Sequence, residues 1–129
     1  MAVFNFPIRQ NDHAEQAVRA ARQMQQRWRA WHPGLVEGHS LEEGSLCIGI
    51  GISSGDVSFG EFGQSHRDLT AIGTVVNTAA RAQSAARGGQ ILVTKTVRDR
   101  CAKDIVQGDG SIYNLKGLGA PIELYDAGT

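Results

Sequence analysis

The sequence predicts an α+β fold, and three observations carry that prediction. Asn11 to Trp31 places apolar residues at helical spacing over a long run. Leu46, Ile48, Ile50 and Ile52 alternate with Cys47, Gly49 and Gly51, the period of two that marks a strand. Gln90 to Thr94, QILVT, is a short continuous apolar run of the buried-strand kind.

Composition bounds the rest. A chain of 129 residues fits one domain. With 41% hydrophobic and 20% charged residues it has the balance of an ordinary soluble globular protein. Lys+Arg 13 offset Asp+Glu 13, so net charge gives no reason to expect nucleic acid or an anionic membrane as partner. No apolar run approaches a membrane span, and the N-terminus has no secretory pattern. Cys47 and Cys101 lie far apart and read as reduced, buried thiols of a cytoplasmic protein.

Taken in order, Met1 to Ile8 is strand-like and ended by Pro7. The following helix has Asp12 as cap and Glu15 three residues on, a box-like start. Its stripe is Ala14, Ala17, Val18, Ala21, Met24, Trp28 and Trp31, with both tryptophans expected in the core. Arg19, Arg22, Arg27 and Arg29 lie off the stripe and read as a solvated face, since Glu15 and several glutamines dilute them. Pro33-Gly34 is expected to stop the helix. Leu35 to Ser45 is a polar connection holding Glu37, His39, Glu42 and Glu43. No histidine among His13, His32, His39 and His66 has the spacing of a zinc site.

The next stretch, Leu46 to Arg81, organises the chain. The alternating run, the turn Ser53-Ser54-Gly55-Asp56 and the restart at Val57 and Phe59 read as an antiparallel hairpin. The small residues between the isoleucines leave room for a close neighbour or a ligand. Leu69 to Ile72 is short and extended, and Gly73 breaks it. Thr74 to Ala86 is a helix whose Val76, Ala79, Ala80 and Gln83 are mostly small, so it can pack close to a sheet. Asn77 and Arg81 are four apart and share a face near the helix start. By spacing alone they read as solvated helix residues. The same pair beside free backbone N–H groups also suits an anion. Arg87-Gly88-Gly89 ends the helix, Lys95 to Cys101 is a short helix, and Gly108-Asp109-Gly110 is a tight turn. Ser111 to Leu115 and Ile122 to Tyr125 are late strands around Lys116-Gly117-Leu118-Gly119.

The run from Thr70 to Arg81, T-A-I-G-T-V-V-N-T-A-A-R, resembles the signature of class III adenylate/guanylate cyclase catalytic domains, where T-x-I-G-[DN]-x-V-N-x-A-x-R is typical. G-I-S-S-G-D-V and G-E-F-G before it are similar to the same family, as are the opening A-V-F-N-F-P-I-R-Q-N-D-H-A and the late L-K-G-L-G-A-P-I-E-L-Y. The resemblance runs in order over nearly all 129 residues.

That resemblance implies a ferredoxin-like class III cyclase catalytic fold, residues 1–129 forming one partial domain that lacks the first strand and helices. A central strand position is then empty and its neighbours expose unpaired edges. It implies conversion of ATP to cyclic AMP and pyrophosphate in intracellular signalling. Four positions carry over. Asn77 matches the asparagine that orients the ribose. Arg81 matches the arginine that stabilises the transition state at the α-phosphate. Thr70 matches the purine-reading position, and a threonine there can accept a hydrogen bond from the adenine amino group. Lys116 matches the lysine on the triphosphate tail, beside its plainer reading as a lysine in a surface turn. The family's two metal aspartates, which hold Mg²⁺ or Mn²⁺, are expected upstream of Met1, as is the lysine that helps read adenine. Asp56 and Asp68 do not replace them by position, and Asp56 reads as structural. Hence no metal is expected on this chain alone, and the isolated chain is expected to be inactive. Its partner would be a second copy or another cyclase domain that completes the site. The alternative is a catalytically inactive cyclase-like module that pairs with and regulates another cyclase domain. A nucleic-acid-binding ferredoxin-like domain lacks the basic, aromatic sheet face it would need.

Overall fold

The structure is a computed structural model that describes residues 1–36, 46–62, 68–117 and 119–128. Its elements in order are α1 (His13–Val36), β1 (Ile50–Ile52), β2 (Ser58–Phe62), β3 (Asp68–Ile72), α2 (Thr74–Ala85), β4 (Ile91–Thr94), α3 (Lys95–Arg100), β5 (Ser111–Tyr113) and β6 (Ile122–Asp126). Four strands form one sheet in the order β1-β4-β6-β5, and β2 and β3 form a separate hairpin.

β4 sits inside the larger sheet because every one of its residues is buried. Side chains alternate along it. Ile91 and Val93 meet Val18 of α1, Val97 of α3 and Tyr125 of β6. Leu92 faces the other way, toward Ala82 of α2 and Leu124. Each fully buried aliphatic side chain of this kind contributes about 1.5–3 kcal/mol. Polar groups clamp the α1 side. Arg22 Nε donates to the Ala127 carbonyl at 2.9 Å, and the same guanidinium donates to the Ile105 carbonyl. The Arg98 guanidinium lies 4.4 Å over the Tyr125 ring.

β1 corrects the expected hairpin. It runs parallel to β4, with Ile50 opposite Ile91 and Ile52 opposite Val93. The restart at Val57 and Phe59 belongs to β2, which pairs antiparallel with β3, Phe59 opposite Ala71 and Gly60 opposite Thr70. A parallel pair needs a crossover, and α2 supplies it. The late strands stand as expected, β6 antiparallel to both β4 and β5.

Several local expectations change. Met1 to Ile8 forms bends and no strand, with Asn5 at φ 70. α1 runs through Pro33-Gly34 to Val36, since proline's φ suits a helix and only the final turn loses a hydrogen bond. Glu15 does not close a capping box. Its Oε1 accepts from the Ala102 N–H at 2.7 Å, tying α1 to the segment after α3. Along α1, Ala14, Ala17, Val18 and Ala21 are buried as expected, but Met24 and Trp31 are exposed. Gln25 takes the inward place and donates to the Ile48 carbonyl at 2.8 Å, while the Trp28 indole donates to the Leu46 carbonyl. Cys101 is buried, Cys47 is exposed, and neither is in a disulfide. Residues 37–45, with Glu37, His39, Glu42 and Glu43, lie outside the described residues, as does His66.

Candidate functional site

The site is built on α2 because of two glycines, Gly51 in β1 and Gly49 just before it. A methyl group on Gly51 would lie 2.3 Å from the Ala79 carbonyl oxygen and 2.3 Å from the Gln83 nitrogen. The helix backbone therefore rests directly on the strand, and only glycine permits it. Gly49 performs the same service near the helix end, where its added carbon would stand 3.0 Å from the Ala86 side chain. This is the close neighbour that the alternation of isoleucine and glycine foretold. The inward face of α2 is rotated from the expected one. Thr78 and Ala82 are buried, while Ala80 and Gln83 are exposed. Thr78 satisfies its hydroxyl on the Thr74 carbonyl at 2.8 Å.

That rotation leaves Asn77 and Arg81 on the exposed face, one turn apart. Gly73, at φ 142, turns the chain from β3 into α2. No side chain caps the helix start, so the first-turn amides keep their donors and their partial positive charge. From the far end of the chain, the turn after β5 comes back to α2. A methyl group on Gly117 would lie 3.8 Å from Arg81 Nη2 and 3.9 Å from Nε. The guanidinium thus lies against the Lys116-Gly117 backbone. Lys116 itself is exposed and helps line a small cavity of about 260 Å³ with Asn114, Leu115, Gly119, Ala120 and Pro121.

The arrangement brings Asn77, Arg81 and Lys116 to one region of the surface. Arg81 stands beside the turn that carries Lys116, and Asn77 lies one helical turn nearer the start of α2, so an anion has at least one fixed cation to meet on this face. Thr70 lies on β3, one residue into the hairpin from Ala71, and its side chain is outside the described residues. Gly117 was not singled out by sequence reasoning. The Lys-Gly-Leu-Gly turn was the available signal, because its first glycine takes φ 86, a conformation that residues with side chains rarely adopt.

Among the described residues, no three His, Cys, Asp or Glu side chains gather to hold an ion. Asp56 is exposed in the loop between β1 and β2, where its carbonyl approaches Gly73. These residues do not by themselves fit the divalent cation that class III cyclase chemistry uses. Among the described residues no helix is long and apolar enough to cross a membrane.

A four-stranded sheet with helices on both faces, one of them a small-residue helix carrying Asn77 and Arg81 outward, is the architecture of a nucleotide cyclase domain. The chain belongs to the adenylate and guanylate cyclase catalytic domain family, whose sequence profile matches residues 1–125. Among solved structures, the guanylyl cyclase Cya2 is similar at 30% identity and a TM-score of 0.82, over 95% of this chain and 61% of that one. The adenylyl cyclase CyaB from P. aeruginosa is similar at 29% identity and a TM-score of 0.76, over 98% of this chain and 65% of that one. The catalytic core of a rhodopsin-guanylyl cyclase with converted specificity, in complex with ATPalphaS, shares the fold at 23% identity and a TM-score of 0.74, over 98% of this chain and 65% of that one. The chain therefore spans less than two thirds of the length of these structures. Both purine specificities occur among them. No curated protein sequence is similar enough to count as a match.

Proposed function

We propose that this chain supplies the base, ribose and phosphate side of a composite adenylate cyclase site in the cytoplasm. The reading rests on one observation: the Arg81 guanidinium is seated beside the Lys116-Gly117 turn, one helical turn from Asn77 on the same open face. In the reaction, the 3′-hydroxyl oxygen of ATP forms a bond to the α-phosphorus. The bond from that phosphorus to the bridging oxygen breaks, pyrophosphate leaves, and the hydroxyl proton passes to solvent. Negative charge grows on the α-phosphoryl oxygens in the transition state. Arg81, permanently charged and forked, holds that charge. Asn77 orients the ribose so that its hydroxyl lies in line, and Lys116 draws the triphosphate tail. Thr70 accepts a hydrogen bond from the adenine amino group, which supports ATP over GTP. A second cyclase domain, a copy of this one or another, completes the site.

The test mixes the purified chain with a cyclase domain whose own Asn–Arg helix has been disabled but whose metal-binding acids are intact. With ATP and Mn²⁺ the mixture should form cyclic AMP, and with Arg81→Ala it should not. Product from GTP in preference to ATP would overturn the adenylate assignment. The absence of an acidic cluster among the described residues favours a second reading, a non-catalytic module that binds and regulates a complete cyclase. In that case the chain alters the partner's rate and Arg81→Ala leaves the alteration intact.

A further inference from the structure

The turn between β5 and β6 does more than bring Lys116 to α2. A methyl group on Gly117 would stand 3.8 Å from Arg81 Nη2 and 3.9 Å from Arg81 Nε. Residues 116–118 of the turn aside, those two nitrogens are the only heavy atoms of the described residues within 4 Å of that point. Arg81 Cζ, which is bonded to both, therefore lies farther away than either, beyond 4 Å. A point over the flat face of a guanidinium would be as near to Cζ as to the nitrogens. The Nη2–Nε edge of Arg81, not its face, is thus turned toward Gly117. Nε–H and one Nη2–H run parallel from that edge, the fork that takes two oxygens of one carboxylate or phosphoryl group. The central atom of an anion held by two such bonds, each about 2.7–2.9 Å long, stands equally far from both nitrogens and farther from Cζ. The point at Gly117 has that placement.

Arg22 shows what the same edge does when it is committed to structure. Its Nε and Nη2 donate to the Ala127 and Ile105 carbonyls and hold α1 to the sheet. Arg81 is exposed, and among the described residues it belongs to neither of the two ion pairs, Glu15–Arg19 and Lys95–Asp99. The turn faces its fork with a bare Cα. That residue can be nothing but glycine without cost, because it takes φ 86. We infer that Gly117 is a positioning residue that acts through Arg81: having no side chain, it leaves the Nη2–Nε edge open, and a phosphoryl group takes both donors at once with its phosphorus where a Cβ on residue 117 would stand. The inference rests on the reading of Arg81 as the group that meets the phosphate. It adds that the grip is twofold and that the turn after β5 decides where the phosphorus lies. A lysine in place of Arg81 could not make this grip, since it offers a point charge and no fork.

The test titrates the 129-residue chain with inorganic tripolyphosphate at low ionic strength and reads the affinity by calorimetry. The unaltered chain is compared with Arg81→Ala, Gly117→Asn and the double variant. Asparagine accepts a left-handed φ, so the melting temperature should hold while its Cβ takes the phosphorus position. Gly117→Asn should weaken binding roughly tenfold or more, the scale of a lost pair of charge-assisted hydrogen bonds. In the Arg81→Ala background it should add nothing. A turn that was merely structural, or that acted through Lys116, would lower affinity equally in both backgrounds. That result overturns the inference, as does a Gly117→Asn chain that binds as tightly as the unaltered one. Should asparagine unsettle the turn, Arg81→Lys leaves the turn untouched. It should bind almost as weakly as Arg81→Ala, and unaltered affinity in it overturns the inference too. An Arg81→Ala chain that keeps full affinity, or an unaltered chain that takes up no tripolyphosphate, removes the reading of Arg81 itself, a failure that the Gly117 variant alone cannot produce.

Discussion

The two faces of the four-stranded sheet are built to different ends. On the α1–α3 face, Val18, Ala21, Ile91, Val93, Val97 and Tyr125 join one continuous buried cluster. On the α2 face the fully buried set shrinks to Ala82, Leu92 and Leu124. The first face interlocks branched side chains and is closed by the two carbonyls held by Arg22. The second brings backbone onto backbone at Gly51 and turns Asn77 and Arg81 outward. Stability is concentrated on one side and positional accuracy on the other. Substitutions on the two faces should therefore separate into those that unfold the chain and those that disable it.

The largest effect tests the stabilising face. Ile91→Ala should lower unfolding free energy by about 2–5 kcal/mol, since Ile91 has no exposed surface. The urea midpoint should fall with little change in slope. A loss well under that range would mean that the cluster collapses around the gap, and the contrast between faces would weaken. Next comes Arg81→Ala, assayed with a domain that completes the site. Turnover should drop by about 10²–10³-fold, the usual consequence of removing one charge-stabilising donor. The melting temperature should hold, because exposed positions rarely alter stability by more than about 0.5 kcal/mol. An equal fall in both quantities would break the comparison.

Gly51→Ala probes the seam between strand and helix. Overpacking of this kind costs about 1–3 kcal/mol, and here the obstructing atoms are main-chain atoms of α2. Activity should fall further than stability explains, because the helix that carries Asn77 and Arg81 must move. Kinetics compared at matched folded fraction will separate the two. Lys116→Ala should be milder, raising KM for ATP more than it lowers kcat, as expected for a lysine that draws in the triphosphate before the transition state.

The smallest effect concerns Cys101, on the stabilising face. Burial pushes its thiol above the ordinary range, the Glu15 carboxylate adds to the rise, and Arg22 opposes it. The folded chain thus holds this proton more tightly than the unfolded one. Its contribution is complete below the ordinary thiol range and declines as pH rises through that range to the folded value. Urea midpoints taken from neutral to alkaline pH should show a decline that Cys101→Ala lacks. Iodoacetamide should also modify Cys47, which is exposed, well before Cys101.

Much of this was legible in the residues. QILVT read as a buried strand, and the glycines of the IGIGI run left room for a close neighbour or a ligand before the neighbour was known. The class and order of the late strands also followed from local pattern. The pairing of β1 did not. Turn residues between two alternating runs suggest a hairpin, but β1 is drawn to β4 by α2, and a crossover is a non-local event that short-range pattern cannot express. Trp31 and Gln25 changed places for a similar reason. A hydrophobicity stripe assigns tryptophan inward, whereas the Ile48 carbonyl needed a donor that glutamine could bring to it. The family likeness named Asn77, Arg81 and Lys116 by motif, where spacing alone left the first two as solvated helix residues. The seat of Arg81 against Gly117 joins residues far apart in sequence, and only the fold draws them together.

The contact at Gly51 has a mechanical meaning. Between most helices and sheets lies a cushion of side chains whose rotamers absorb small displacements. Here the helix main chain sits on the strand main chain with no cushion, so the joint has almost no backlash. A shift of β1 toward the helix at Gly51 is met by main-chain atoms of α2, the helix that carries Arg81. Any agent that grips the strand therefore presses on the helix that carries Asn77 and Arg81.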